Sequence, residues 1–170
     1  MEILSSKELR KSIKVNTLSI GDSGKGKTYF VGTMCDYGKP FIVDTENGLL
    51  TISHKDFDST TVNTYADLGE VMTWYQENYK EKGYTHLVLD SVTRLQQYLL
   101  LEEGDSATGE VTMKQWGIVL VKLRKVIDYL TKVCPTPVHV TAMAMESKDE
   151  MTGATRIFPN LQGAFKFDLA

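Results

Sequence analysis

Short apolar runs alternate along the chain with longer segments in which apolar residues recur every three or four positions. The runs predict buried strands at residues 15–20, 40–44, 60–65, 85–90 and 136–144. The recurring spacing predicts helices at residues 27–35, 66–79, 92–101 and 113–133. Strands that alternate with helices are typical of an α/β protein, so we expect a mainly parallel sheet between layers of helices.

The two longest helical segments indicate which of their faces is buried. In residues 66–79 the apolar face carries Leu68, Val71, Met72 and Tyr75. In residues 113–133 the predicted buried stripe is Trp116, Leu120, Leu123, Ile127, Leu130 and Val133. Polar, turn-rich composition predicts a loop at residues 102–111 and a hairpin around residues 151–153.

Composition narrows the class of protein. The 170 residues, of which 42% are apolar and 24% charged, predict one globular domain across residues 1–170. No apolar run is long enough to span a membrane and the N-terminus lacks the apolar core of a signal peptide, which predicts a cytoplasmic protein. The formal net charge of −3 gives no electrostatic sign of nucleic-acid binding. Two cysteines and three histidines lack metal-ligand spacing, so we expect buried, reduced thiols.

Residues 21–28 read Gly-Asp-Ser-Gly-Lys-Gly-Lys-Thr, a segment that fits two different chemistries. Its first four residues also surround the nucleophilic serine of chymotrypsin-like proteases, which need a histidine base, an aspartate and a β-barrel fold. The α/β pattern and the scattered histidines argue against that reading. The G-x-S-x-G pattern of α/β-hydrolases fails as well, because Lys25 occupies its second glycine position.

The same segment fits the phosphate-binding pattern G-x-x-x-x-G-K-[ST], with a predicted strand before it and a helix after it. Glycines allow the backbone N–H groups to converge on phosphate oxygens. In this pattern Lys27 reaches the β- and γ-phosphates, and the hydroxyl of Thr28 can bind Mg²⁺. The residues predicted to bind the nucleotide are Gly21, Asp22, Ser23, Gly24, Lys25, Gly26, Lys27, Thr28 and Tyr29.

Carboxylates end two further predicted strands. Asp90 closes "HLVLDS", where a Walker-B carboxylate would hold Mg²⁺ through water. Asp44 and Glu46 follow "FIV", and ligands in parallel α/β sheets bind at the carboxyl ends of strands. Glu46 is therefore predicted to activate the attacking water and Asp44 to be structural. In the alternative interpretation both residues only cap the turn into Asn47 and Gly48.

Two other classes of nucleotide enzyme fit the sequence less well. GTPases read guanine with an [NT]-K-x-D motif, and "ESKDE" at residues 146–150 departs from it in its first residue and its spacing. Kinases of nucleotides or small molecules clamp anionic substrates with several arginines. The chain has only Arg10, Arg94, Arg124 and Arg156, so a kinase stays an alternative.

Taken in order, these motifs resemble the core of RecA-like ATPases. "FIVDTENG" resembles the strand that carries the catalytic glutamate in that family, "LVLDSVTRL" its Walker B, and "GAFKFDLA" the segment after its second DNA-binding loop. "QWGIVLVKLRKVI" and "TPVHVTAMAMES" are similar to phage-encoded RecA-like ATP-binding proteins, described as single-strand annealing or AAA-type ATPases. The resemblance covers residues 15–167.

The resemblance implies a three-layer αβα fold and an ATPase that uses Mg²⁺. It makes Lys27 and Glu46 catalytic, and Thr28 and Asp90 the Mg²⁺ site. It further implies a homo-oligomer in which residues 104–112 and 146–163 line a channel for single-stranded DNA. Arg156 and Lys166 would contact the DNA or complete a neighbouring ATP site. Single-strand-binding or other phage replication proteins would be partners.

Two departures from the family pattern keep another class open. The final strand ends in Ala142-Met143-Ala144, where such proteins often carry a polar γ-phosphate sensor, so Thr141 or Glu146 would have to substitute. The chain also stops at Ala170, where relatives continue, which we interpret as a truncated or minimal version. The weak sensor position and the acidic loop at residues 102–111 favour the alternative of a nucleotide-dependent switch that recruits a protein partner with little hydrolysis.

Overall fold

The computed structural model describes residues 14–105, 108–150 and 152–162. The strands are β1 (Thr17–Gly21), β2 (Lys39–Asp44), β3 (Asp58–Thr61), β4 (Tyr84–Asp90), β5 (Val138–Lys148) and β6 (Thr155–Pro159). The helices are α1 (Lys27–Thr33), α2 (Tyr65–Lys82), α3 (Val92–Glu103) and α4 (Met113–Asp128). Short 3₁₀ turns cover Met34–Tyr37 and Leu49–Ile52, and a π-helical turn covers Tyr129–Val133. Within the described ranges, no helix is long and apolar enough to cross a membrane.

Five strands pair in parallel in the order β1-β5-β4-β2-β3, and β6 joins β5 in antiparallel orientation. The predicted α/β fold with a mainly parallel sheet is therefore confirmed. In the register of the sheet, Asp44 lies opposite Asp90, and Gly21 lies opposite Met143. Because parallel strands end at one edge, the chain segments that follow β1, β2 and β4 all leave the sheet at the same side.

Side chains alternate between two layers on the faces of the sheet. On one face, alternate strand residues such as Phe41, Leu87 and Val140 pack against α2, α3 and α4 in a single large core. On the other face a smaller cluster packs against α1 and the adjoining 3₁₀ turns; it contains Val31, Ile42, Ile52 and Val88. Helices thus cover both faces, as expected for three layers, and the layer that follows the phosphate-binding segment is the thinner one.

Two element boundaries differ from the sequence prediction for reasons of local chemistry. The third strand, predicted at residues 60–65, is Asp58–Thr61. The chain leaves it because Thr64 forms a capping box with Asp67, which begins α2 at Tyr65. The final strand, predicted to end at residue 144, continues to Lys148 because its polar second half pairs with β6. The turn-rich segment is accordingly the tip of a β-hairpin, although Met151 itself lies outside the described residues.

The buried stripe of residues 113–133 was predicted only in part. Its buried residues are Val119, Leu123, Val126 and Leu130, whereas Val133 is exposed. The segment is apolar on more than one side, so its spacing alone does not decide which side meets the sheet. The helix also changes to a π-helical turn at Tyr129 instead of continuing. Both cysteines are free thiols, but only Cys134 is buried as predicted, and Cys35 is half-buried.

Candidate nucleotide-binding site

The phosphate-binding segment connects the end of β1 to the start of α1. Gly24 and Gly26 have φ angles of 72° and 85°, a left-handed conformation that residues with a side chain rarely adopt. A Cβ atom at either position would meet nothing within 4 Å, so the backbone angle and not space demands glycine there. No side chain caps α1. Its first N–H groups have no side-chain acceptor and can therefore donate to an anion such as a phosphate.

Lys27 lies with its ammonium group folded onto the same loop. Its Nζ donates to the carbonyl oxygens of Gly21 at 2.8 Å and Asp22 at 2.9 Å, and lies 3.7 Å from the sulfur of Met143. A bound phosphate would offer stronger, charged acceptors at the same place. The lysine is therefore positioned to exchange two carbonyl oxygens for phosphate oxygens.

Thr28 and Asp90 form the pair predicted to bind Mg²⁺. The hydroxyl of Thr28 donates to Oδ2 of Asp90 at 2.9 Å, and the hydroxyl of Thr141 donates to Oδ1. Asp90 is only 1% exposed, so both oxygens are held in fixed directions. A hydroxyl and a carboxylate are hard oxygen ligands, which Mg²⁺ prefers, and it commonly binds one or two protein oxygens together with substrate phosphates. The residues fit the ion. Among the described residues, no cluster of three or more histidine, cysteine or acidic side chains forms a separate metal site.

Asp44 and Glu46 have different surroundings although they are two residues apart. Oδ1 of Asp44 accepts hydrogen bonds from the backbone N–H of Glu46 at 2.9 Å and of Asn47 at 2.8 Å. Asp44 thus fixes the turn after β2, the structural role expected of it. The side chain of Glu46 is exposed, and its carboxylate accepts a hydrogen bond from the hydroxyl of Ser91.

Ser91 is the functional candidate that the sequence reasoning missed. Its Oγ donates to Glu46 and accepts from the backbone N–H of Arg94 at 3.3 Å, so one hydroxyl both caps α3 and holds the candidate base. Thr45, next to Glu46, also connects the end of β2 to the end of β4, because its hydroxyl is hydrogen-bonded to the backbone of Asp90 and Ser91. The signal in the sequence was the serine directly after a strand-ending aspartate. Its partner, however, lies 45 residues away in the chain.

These groups surround a cavity of about 380 Å³. It is lined by Ser23, Gly24, Gly26, Lys27, Thr28, Tyr29, Glu46, Gly48 and Thr51. The ring of Tyr29 is 66% exposed at this cavity and offers a flat surface to a ligand. Asp22 and Lys25 are exposed but do not line this cavity, and a backbone hydrogen bond of 3.3 Å joins them. Grooves of similar size along α2 contain Trp74 and Glu70 but no part of the phosphate-binding segment.

The remaining sequence candidates lie apart from this cavity. Thr141 is buried and bonded to Asp90, and Glu146 is exposed on the hairpin, so neither lines the cavity. Arg156 is exposed on β6, opposite Ser147 in the hairpin. Lys166 falls outside the described residues. The hairpin predicted to carry Arg156 exists, but its contacts with DNA or with a neighbouring subunit remain predictions.

Comparison with known proteins agrees with the architecture. The model of the AAA_24 family, described as an AAA domain, matches residues 13–168, which is nearly the whole chain. A search of curated protein sequences finds no significant match. The matched region contains the phosphate-binding segment, both carboxylate-bearing strand ends and all six strands of the described residues. The chain therefore belongs to the AAA_24 family of AAA-type P-loop ATPases.

Proposed function

We propose that the protein hydrolyses ATP by attack of a water molecule on the γ-phosphorus. One observation carries this proposal: Lys27, Thr28 and Glu46 line one cavity, and the buried carboxylate of Asp90 is bonded to Thr28 at its edge. The segments that carry these residues follow or end three separate strands, β1, β2 and β4. The new bond joins the water oxygen to the γ-phosphorus, the bond to the β–γ bridging oxygen breaks, and ADP leaves. Glu46 would accept a proton from the attacking water.

The other residues would bind the triphosphate and offset its charge. The ammonium of Lys27 and the N–H groups of the loop would contact the phosphate oxygens. Thr28 and Asp90 would hold Mg²⁺, which when bound neutralises phosphate charge. Tyr29, which lines the same cavity, would contact the nucleoside.

The second part of the proposal concerns the process that ATP hydrolysis would drive. We infer that ATP turnover drives recombination or annealing of single-stranded DNA by a homo-oligomer, in the cytoplasm of a phage-infected bacterium. The hairpin supports it, because Arg156 and Phe158 alternate onto the same face of β6, and a cation beside an aromatic ring suits a single strand. Each hairpin also carries Glu146, so a channel would need several subunits to gather enough positive charge.

Exposed apolar side chains near the phosphate-binding segment support an oligomer. Tyr29, Phe30, Tyr37 and Leu50 are between 51% and 85% exposed on α1 and the 3₁₀ turns after it and after β2. Apolar groups that cluster on a surface are typical of interfaces. A subunit seated there would cover the nucleotide, which is where shared ATP sites of oligomers lie.

The test is steady-state ATP hydrolysis with Mg²⁺, in the presence and absence of single-stranded DNA. Lys27→Ala and Glu46→Gln should each lose turnover, while the exposed Lys114→Ala and Glu77→Gln keep it. We expect Glu46→Gln to keep ATP binding, since it removes a proton acceptor and no phosphate contact. Turnover that survives in Glu46→Gln would refute its assignment as the base, and turnover without any response to DNA would refute the coupling.

The structure also gives one observation in favour of a nucleotide switch with little hydrolysis. Glu46 is already bonded to Ser91, and a carboxylate that is occupied in this way is a poorer acceptor for water. For the switch we expect tight ATP binding, turnover close to background, and a rise in turnover in Ser91→Ala. A fall in turnover in Ser91→Ala would instead make Ser91 a residue that positions the base, and would favour the ATPase.

A further inference from the structure

A second cavity of about 290 Å³ adjoins the nucleotide cavity. Its lining residues come from the loop after β1, the turn after β2, the middle of β5 and the first turns of α3. They are Ser23, Glu46, Thr93, Arg94, Gln97 and Met143. Ser23 and Glu46 line both cavities, so the boundary between the two lies beside the candidate base. A γ-phosphate that is attacked near Glu46 would therefore face this second cavity.

Arg94 places a cation in that cavity and is held there by neighbouring side chains. Its guanidinium donates to Oε1 of Gln97 at 2.7 Å and lies 4.9 Å from the ring centre of Tyr98. The hydroxyl of Tyr98 in turn donates to the carbonyl oxygen of Thr45 at 3.1 Å, one residue before Glu46. Arg94 is in none of the salt bridges among the described residues, so no carboxylate of those residues is ion-paired with it. The arrangement resembles a pre-oriented binding group more than a structural ion pair.

The middle of β5, where its pairing with β1 ends at Met143, lacks a group that could bind a phosphate in this way. Met143 reaches the site from β5, and its sulfur lies near Lys27, but a thioether cannot donate a hydrogen bond to a phosphate oxygen. Thr141 is committed to Asp90. A guanidinium, by contrast, matches the geometry of phosphate oxygens with two parallel donors.

We propose that Arg94 binds the γ-phosphate of the nucleotide held by its own chain and so distinguishes a nucleoside triphosphate from a diphosphate. This inference rests on the proposed ATP site. Gln97 positions the guanidinium, and the hydroxyl of Ser91 links the first turn of α3 to Glu46. The presence of the third phosphate would then be sensed at the start of α3, next to the base, and not on β5 around Met143.

The experiment compares the affinities for ADP and for a non-hydrolysable ATP analogue, each with Mg²⁺, by fluorescence titration. Arg94→Gln should weaken binding of the analogue roughly 10- to 100-fold, the range expected for losing charged hydrogen bonds, while ADP binding stays within about twofold. Arg94→Lys should fall between Arg94→Gln and the unaltered protein, because it keeps the charge and loses the two-pronged donor. Arg124→Gln, an exposed arginine of α4, is the matched control and should change neither affinity.

The possible results separate this inference from the function on which it rests. If the unaltered protein bound neither nucleotide, both would be overturned. If it bound both and Arg94→Gln weakened them equally or not at all, only the role of Arg94 would be overturned. Retained ADP binding shows that a variant is folded, and loss of ADP binding in both Arg94 variants would indicate a structural role and also overturn the inference. A triphosphate preference that appears only at high protein concentration would mean that a neighbouring chain supplies the contact, against binding within one chain.

Discussion

Protonation of His139 should destabilise the fold as the pH falls below about 6.5. The imidazole lies on β5 and is 1% exposed, beneath the ring of Phe30 at a centroid distance of 5.4 Å. Nδ1 lies 2.5 Å from the hydroxyl of Thr17, but Nε2 has no hydrogen-bond partner among the described residues. The doubly protonated imidazole carries an N–H at both nitrogens, and the one at Nε2 would be buried without an acceptor among those residues.

Burial lowers the pKa of His139 from 6.5 to about 4. The charge of His86 acts in the same direction, and the carboxylate of Asp90 opposes it. Between these pKa values the unfolded chain binds a proton at this imidazole and the folded chain does not, so the free energy of unfolding falls as the pH falls. At pH 5 the loss relative to neutral pH is about 2 kcal/mol, and the full difference is about 3 kcal/mol, since each pKa unit corresponds to about 1.4 kcal/mol.

The assay is urea denaturation, followed by tryptophan fluorescence, at several pH values and constant ionic strength. His139→Gln removes the titrating group and keeps a polar side chain, so its free energy of unfolding should lose about 2 kcal/mol less than that of the unaltered protein between about pH 7.5 and pH 5. His54→Gln, at an exposed histidine, controls for the loss of an imidazole elsewhere. If the unaltered protein and His139→Gln lost stability in parallel, the reasoning about burial would be wrong.

Further substitutions test how the site is packed. Thr141→Val keeps the branched shape and removes the hydroxyl that bonds Asp90, so we expect a loss of about 1–3 kcal/mol in urea denaturation, recovered largely by Thr141→Ser. Gly32→Ala would place a Cβ atom 2.7 Å from Cγ2 of Ile52. We expect it to lower the midpoint of thermal unfolding, because overpacking costs about 1–3 kcal/mol and the gain in helix propensity is at most about 1 kcal/mol. A Cβ atom added at the exposed Gly117 of α4 would meet open space. Gly117→Ala should therefore raise the midpoint of thermal unfolding, because alanine stabilises a helix by about 0.5–1 kcal/mol relative to glycine.

Sequence reasoning succeeded where a pattern and its structural context lie close together in the chain. The phosphate-binding segment could be predicted because the glycines, Lys27 and the flanking strand and helix fall within about 20 consecutive residues. Asp90 and Asp44 could be placed at strand ends because buried strands appear as unbroken apolar runs. Since the carboxyl ends of parallel strands lie at one edge of the sheet, these local predictions were enough to expect Lys27, Asp44 and Asp90 close together.

Sequence reasoning fell short where contacts join distant segments. Nothing in the apolar runs indicates that β5 lies between β1 and β4, and this placement is what brings Thr141 to Asp90 and Met143 to Lys27. The bond between Ser91 and Glu46 likewise depends on β4 lying beside β2. The hairpin was recognised from its turn composition, but the polar residues on either side of the turn were not recognised as strands. Pairing between β5 and β6 stabilises these strands, and they have no apolar pattern that would predict them.

The hydrogen bonds of the site suggest which step would limit its activity. Lys27 bonds to loop carbonyl oxygens, Thr28 to Asp90, and Glu46 to Ser91. Binding of a triphosphate replaces the bonds between Lys27 and the loop carbonyl oxygens with stronger bonds to charged phosphate oxygens, so this exchange is favourable in free energy. The bond between Ser91 and Glu46 gains no such replacement, because the group that Glu46 must take instead is a neutral water. For a nucleotide switch we therefore expect release of Glu46, and not capture of the phosphates, to govern turnover, and the most direct control of that release is movement at the start of α3.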